Sequence, residues 1–94
     1  MAESITPKSI PKDPNSTLDY AFDWSSWLGS DSLASHTIIA DSRLTVNSSS
    51  QSATSVTVWL SGGTAGYLHD VTCRVTTTGG RIDDRTITLD VAER

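Results

Sequence analysis

The side chains that most often carry out chemistry are few in this 94-residue chain and are poorly spaced for it. His36 and His69 are far apart in the sequence, and neither has a neighbouring cysteine or histidine at metal-ligand spacing. Asp83 and Asp84 are adjacent, so in a strand they point to opposite faces and cannot share a proton as a general acid and base. We expect a solvated or arginine-paired turn there, and no catalytic residue, metal or cofactor.

Two further patterns resemble functional motifs only superficially. Asp19 and Asp23 share a strand face, where capping of a loop or pairing with an arginine is favoured over binding of a metal. The glycine-rich segment 61–66 lacks the G-x-S-x-G spacing of a nucleophile elbow. It also lacks the lysine and the following helix of a phosphate-binding loop. We therefore interpret the segment as a turn.

The single cysteine, Cys73, cannot form an intrachain disulfide. It alternates with Val71 and Val75, which predicts a small buried side chain, whereas a reactive thiol is the alternative. A lone thiol fits assembly in a reducing cytoplasm.

Charge and hydropathy exclude two classes of partner. The net charge is −4, and both lysines lie in the first 16 residues, so no concentrated basic face is available for nucleic acid. No apolar stretch reaches the length of about 18 residues that a membrane-spanning helix needs. The start of the chain, MAESITPKSIPK, has no apolar segment of the kind that a secretory signal requires.

The segment 18–29, LDYAFDWSSWLG, is the element around which the others must fold, because it holds four of the six aromatic residues. Leu18, Tyr20, Phe22 and Trp24 occupy every second position, which predicts a strand with one apolar face. Burying such a row stabilises the fold by about 25 cal/mol per Å² of apolar area.

Period-two patterns in the rest of the chain predict an all-β fold, with Trp24 and Trp59 as packing anchors. Strands are predicted at 17–25, 36–40, 44–46, 55–60, 67–77 and 82–91, with a polar loop at 47–53 and a hairpin turn at 78–81. Six or seven short strands without a helical period indicate an antiparallel two-sheet β-sandwich over residues 17–94. Its expected core comprises Tyr20, Phe22, Trp24, Val56, Val58, Val71, Val75, Ile87 and Leu89.

Residues 1–16 contain all three prolines and follow neither strand nor helix periodicity, which predicts an extended N-terminal arm. We expect the arm to dock on a neighbouring chain, and the alternative is that it folds back on its own domain. Ile5 and Ile10 are its sizeable apolar residues and would enter pockets of the partner. Lys8 and Lys12 would bring positive charge to an acidic surface.

Several motifs together resemble the phage fiber–tail adaptor family. These are LDYxxDWSSWLGxDxLASHT, LTV, TVWLSGGTAG and VTxxVTTxGGRxDDRTITLDV, and the resemblance covers about residues 12–92. It implies a small immunoglobulin-like virion protein without enzymatic activity or cofactor. It further implies a ring of identical copies in the tail of a bacteriophage, assembled in the host cytoplasm, that connects the tail tube or head–tail connector to tail fibers.

A ligand- or carbohydrate-binding immunoglobulin-like module is the alternative function. Such a module needs an exposed aromatic platform, and Trp27 and Trp59 are the candidates because they lie off the regular inward pattern. Exposure of both indoles on one flat face would favour the binding module. Burial of either in a contact between chains would favour the adaptor, so we also interpret both as candidate partner-binding residues.

Overall fold

The computed structural model describes residues 10–93, which form two β-sheets and one short helix. The elements are β1 (Ile10–Lys12), β2 (Thr17–Asp23), α1 (Ser25–Leu28), β3 (Leu33–Ala40), β4 (Leu44–Gln51), β5 (Ser55–Gly62), β6 (Tyr67–Thr77) and β7 (Ile82–Val91). One sheet has the order β1-β7-β6-β3 and the other β2-β5-β4; β1 runs parallel to β7, and the other pairs are antiparallel. The predicted all-β two-sheet architecture is confirmed, whereas its immunoglobulin-like character stays a prediction.

The core lies between the inward rows of β5 and β6. Both strands alternate strictly between buried and more exposed positions, because successive side chains of a strand point to opposite faces. The fully buried positions of these two strands are Val56, Val58, Leu60, His69, Val71, Cys73 and Val75. Leu89 and Val91 of β7 complete the same core.

The aromatic row of β2 is buried only towards its end. Phe22 and Trp24 lie in the core, Tyr20 is half-buried, and Leu18 is 41% exposed. The prediction that the whole row is buried is therefore wrong for Leu18. At its end β2 continues into a segment that contains the buried Trp24 and Leu28, whereas polar residues precede Leu18.

The segment 47–53, expected to be a polar loop, is largely strand. β4 continues to Gln51 by pairing with β5, with a register shift between Val46 and Ser48. The expectation failed because the serine-rich sequence has no apolar alternation, whereas the backbone ladder to β5 decides the conformation. The His36 ring of β3 forms hydrogen bonds with the side chains of Gln51 (2.6 Å) and Ser49 (2.9 Å) of β4. These bonds link the edge strands of the two sheets.

Lys12 has an unexpected position, since its side chain is 1% exposed. Its ammonium donates hydrogen bonds to the backbone oxygens of Asp13 (3.0 Å), Ser16 (2.8 Å) and Gly62 (2.9 Å). Burial lowers the pKa of Lys12, and the nearby Asp13 charge offsets part of that shift. Because Gly62 ends β5, Lys12 joins the sheet that contains β1 to the opposite sheet.

The structure thus places residues 10–12 in the four-stranded sheet, although they belong to the segment that the sequence assigns to the arm. Pro11 is tolerated because β1 is an edge strand, where one row of N–H groups needs no strand partner. Residues 1–9, which include the other predicted part of the arm, lie outside the described residues.

A charge placed inside the core should prevent folding. We expect Val58→Asp to lower the free energy of unfolding by about 3–5 kcal/mol, because a buried carboxylate without a partner is costly. The matched control is Thr57→Asp, one residue away on the outer side of the same strand, which should melt close to the wild type. Circular dichroism and thermal melting measure both, and a Val58→Asp variant that melts like the wild type would contradict this core.

Candidate partner-binding surfaces

The four arm residues proposed as contacts divide into two groups. Ile5 and Lys8 lie outside the part of the chain that the structure describes. Ile10 is partly buried against the core, and Lys12 is held by backbone oxygens of its own chain. In this conformation neither Ile10 nor Lys12 presents its side chain to a partner.

Trp27 belongs to the packing of its own domain. It lies in α1, and its ring meets that of buried Trp24 edge-on, with the centroids 5.1 Å apart. The Arg81 guanidinium lies 4.3 Å from the Trp27 ring centroid and donates a 2.9 Å hydrogen bond to the Leu28 carbonyl oxygen. A cation over an indole face is attracted by the ring quadrupole, so Arg81 holds Trp27 in place.

Asp31 fixes the same end of the domain. Its carboxylate accepts hydrogen bonds from the Ser32 N–H (2.8 Å) and the Thr78 hydroxyl (2.9 Å), and it pairs with Arg81 (3.3 Å). The Thr77 hydroxyl, then the Ser32 N–H and the Thr78 hydroxyl, hold the pKa of Asp31 well below its usual value. Asp31 thereby binds the turn between β6 and β7 to the segment that follows α1.

The glycine directly after β5 allows a close approach between the two sheets. Gly63 has φ +102°, and a Cβ atom there would lie 2.9 Å from the Val91 side chain. Its N–H donates to the Arg43 carbonyl oxygen at 3.0 Å, while the preceding Gly62 oxygen accepts from Lys12. Because Ser61 and Gly62 belong to β5, the turn predicted at 61–66 begins only at Gly63, and the segment shapes the backbone of the sandwich.

The histidine and thiol most central to the fold are structural. His69 is fully buried. Its Nε2 accepts a 3.1 Å hydrogen bond from the Thr64 N–H. Its Nδ1 therefore carries the proton and donates to the Tyr67 carbonyl oxygen at 3.1 Å. Cys73 is also fully buried, and burial raises its pKa to about 11, so the prediction of a small core side chain is confirmed. Among residues 10–93, no group of three His, Cys, Asp or Glu side chains could hold a metal ion.

The Asp83–Asp84 pair follows the arginine-paired expectation. Asp84 binds Arg74 at 2.8 Å across β6 and β7, and the Arg74 hydrogen bond lowers the Asp84 pKa. The Asp83 carboxylate accepts a 2.9 Å hydrogen bond from the Asp84 N–H, and Asp83 lies on the opposite side of the strand from Asp84. The two carboxylates are therefore separated in the way that strand alternation predicts.

Trp59 is the predicted site residue that remains accessible. It is 43% exposed on the outer side of β5, the middle strand of its sheet, as its place off the inward alternation indicates. The prediction that it anchors packing within the domain is therefore wrong. In the register of the sheet it lies beside Asp19 of β2 and Ser48 of β4. The sequence does not identify Asp19 as its neighbour, although both residues occupy outward positions of alternating segments. The missing signal was the pairing of β2 with β5.

These features define an all-β structural domain with a packed polar framework and one exposed indole. The chain belongs to the podophage fiber-tail adaptor family: the family model described as podophage GP4 fiber-tail adaptor protein gp77 matches residues 12–90. It is therefore a phage tail adaptor and a component of the virion tail, as the motif resemblance implies. A comparison with curated proteins gives no match. Within the described residues, no helix has the length and apolar character to cross a membrane.

Neutralising Asp31 should weaken the fold in a pH-dependent way. Because the pKa of Asp31 is lowered in the folded state, its charge stabilises the fold above the ordinary value of 3.8 and this contribution is lost as the pH falls below it. We expect Asp31→Asn to melt a few degrees lower than the wild type at pH 7, with the difference shrinking towards pH 2. The control is Asp83→Asn, which removes a charge but keeps an oxygen that can accept the hydrogen bond of the Asp84 N–H. An unchanged difference across thermal melts from pH 7 to pH 2 would contradict this role.

Proposed function

We propose that this chain is a non-enzymatic adaptor that connects the tail tube or head–tail connector to tail fibers, as a ring of identical copies. The observation that carries the proposal is the family match, which spans residues 12–90 and so includes every element from the end of β1 to nearly the end of β7. The finer points, which are the ring, the two partners and the lack of catalysis, are supported by the properties of the domain.

The size of the domain supports a multi-copy assembly. Its extents are 42 × 26 × 17 Å, so one chain is too small to surround a tail. Among the described strands, β1 and β3 lie at the edges of the four-stranded sheet, and β2 and β4 at the edges of the three-stranded sheet. An edge strand offers a row of backbone donors and acceptors that a neighbouring copy or a fiber segment can pair with. Repeated contacts of this kind around the tail axis would close a ring.

The charges of the domain favour a basic protein partner. The described arginines are engaged within the chain: Arg43 with Asp41, Arg74 with Asp84, Arg81 with Asp31, and Arg85 with the Asp23 carbonyl oxygen. Because these cations serve the fold and the net charge is −4, the surface offered to partners is acidic. Such a surface suits salt-sensitive docking on basic patches and opposes binding of nucleic acid.

The carbohydrate-binding module receives weaker support. Its predicted platform requires two exposed indoles on one face, but Trp27 packs against Trp24 under Arg81, whereas Trp59 lies on the outer side of a sheet. A single indole without a second stacking surface gives a sugar ring little area to bind. The adaptor is therefore the function that the geometry supports best.

Removing the chain from the virion tests the adaptor directly. We expect particles assembled without it to have tails that lack fibers, and wild-type particles to contain many copies in a symmetric ring, most simply sixfold or twelvefold. Cryo-electron microscopy of both kinds of particle measures fiber attachment and copy number. Fibers on particles without the chain, or only one or two copies per wild-type virion, would contradict the proposal.

The arm stays a proposal, now restricted to residues 1–9, with Ile5 and Lys8 as anchors on a neighbouring tail protein or the next copy. We expect deletion of residues 2–9 to leave the melting temperature nearly unchanged and to abolish incorporation into tails, because β1 and Lys12 are retained. Deletion of residues 2–14 removes Lys12 as well, so it should also lower the melting temperature.

A matched pair of substitutions separates anchoring from length. Ile5→Ser combined with Lys8→Ser should reduce incorporation, whereas Thr6→Ala combined with Ser9→Ala should not. Thermal melting and quantification of the chain in purified virions are the two measurements. Normal incorporation of the 2–9 deletion would show that the arm is dispensable.

A further inference from the structure

The outer face of the three-stranded sheet carries one large side chain, and the residues around it are small. We call it the Trp59 face; its outward positions are Thr17, Asp19, Ala21 and Asp23 of β2, Ser55, Thr57, Trp59 and Ser61 of β5, and Thr45, Ser48 and Ser50 of β4. The small residues would suffice for an exposed sheet surface. A 43%-exposed indole at its centre adds nothing to the core and suggests a contact.

Arginines of the same chain lie over three other rings of the domain, among them both of the other indoles. The guanidinium carbon of Arg85 lies 4.2 Å from the Trp24 ring centroid, and Arg81 and Arg43 lie 4.3 Å and 5.0 Å from those of Trp27 and Tyr67. Among the described residues, Trp59 has no such cation. The chain uses arginine on indole and phenol rings repeatedly, and it leaves one indole without its cation.

The charge beside Trp59 favours the same kind of occupant. Asp19 is exposed directly opposite Trp59 in the β2–β5 register and forms no ion pair with another residue of the described range. Asp23 adds a second carboxylate to the face, and none of the face positions carries a lysine or arginine. A cation held over the indole would therefore also lie within reach of a carboxylate.

We propose that the Trp59 face docks on a basic protein surface of the tail, which places an arginine or lysine side chain over the Trp59 indole and beside Asp19. The indole face attracts the cation electrostatically, the more so once docking excludes water. Asp19 adds charge complementarity, which speeds association and selects against acidic partners. This inference rests on the adaptor function, because it names the surface by which the adaptor meets its tail protein.

The test measures binding of the purified chain to particles assembled without it, by co-sedimentation over a range of salt concentrations. We expect Trp59→Ala and Trp59→Leu to bind at least about tenfold more weakly, and Trp59→Phe to retain part of the affinity because a phenyl ring still attracts a cation. Asp19→Asn should weaken binding and flatten its salt dependence. The control is Ile39→Ala, which removes a 46%-exposed apolar side chain from the outer face of the other sheet.

The outcomes separate this inference from the adaptor function. If the wild type fails to bind the particles, the adaptor function itself fails. If the wild type binds and Trp59→Ala binds equally well, the adaptor stands and the Trp59 face is not its docking surface. If Trp59→Leu binds like the wild type, the contact is apolar and the proposed cation is wrong.

Two other occupants would also overturn the proposal. Analytical ultracentrifugation detects the first: if Trp59→Ala abolishes self-association and leaves particle binding intact, the face joins copies of this chain. Co-sedimentation with host cell-surface polysaccharide detects the second: if the wild type binds it and Trp59→Ala does not, the face binds sugar. All variants must melt like the wild type, as expected for changes on an outer sheet face.

Discussion

The face-to-face packing of the inward rows of β5 and β6 is the constraint on which the domain depends. Val56, Val58 and Leu60 lie on one side of the core, and Val71 and Cys73 lie on the other, all fully buried. These side chains are small, so the two sheets can approach closely, and Trp24 supplies the one large fully buried ring. In a domain of this size, the area buried by such rows leaves little margin for a misplaced strand.

Polar interactions connect the parts of the sandwich that lie outside this small apolar core. At one end Lys12 joins β1 to the end of β5, and at the other Asp31 and Arg81 bind the β6–β7 turn to α1. Along the side, His36 bridges β3 to β4. Each of these polar groups has hydrogen-bond partners, whereas the buried Tyr20 hydroxyl and Trp24 indole N–H have none within the described residues. The ends of the sandwich are therefore specified by hydrogen bonds and its centre by apolar contact.

The sequence predicts the parts of this fold that have strong local periodicity. The predicted bounds of β6 and β7 agree with the structure because alternation continues through both strands, and Trp59 was placed on the outward side of β5 by the same pattern. The second half of β4 was missed because its serines show no alternation. β1 was missed because a three-residue edge strand containing Pro11 is defined only by its partner, β7.

The candidate site was less predictable, because it depends on residues distant in sequence. The packing of Trp27 is set by Arg81, which comes from a turn more than half the chain away, and no local pattern reveals that pairing. The same is true of Lys12, whose basic character in a proline-containing segment suggested contact with a partner. A lysine held by carbonyl oxygens has no sequence signature that distinguishes it from an exposed one.

The arginine pairs also separate the residues that stabilise the domain from the proposed docking surface. The arginines over Trp24, Trp27 and Tyr67 hold these rings in place, so substitutions there are expected to affect folding. Trp59 and Asp19 contribute nothing to the core or to the polar closure of the sandwich. Substitutions on the Trp59 face should therefore alter the proposed docking while the fold stays intact, whereas substitutions of the ring-stacking arginines should alter the fold itself.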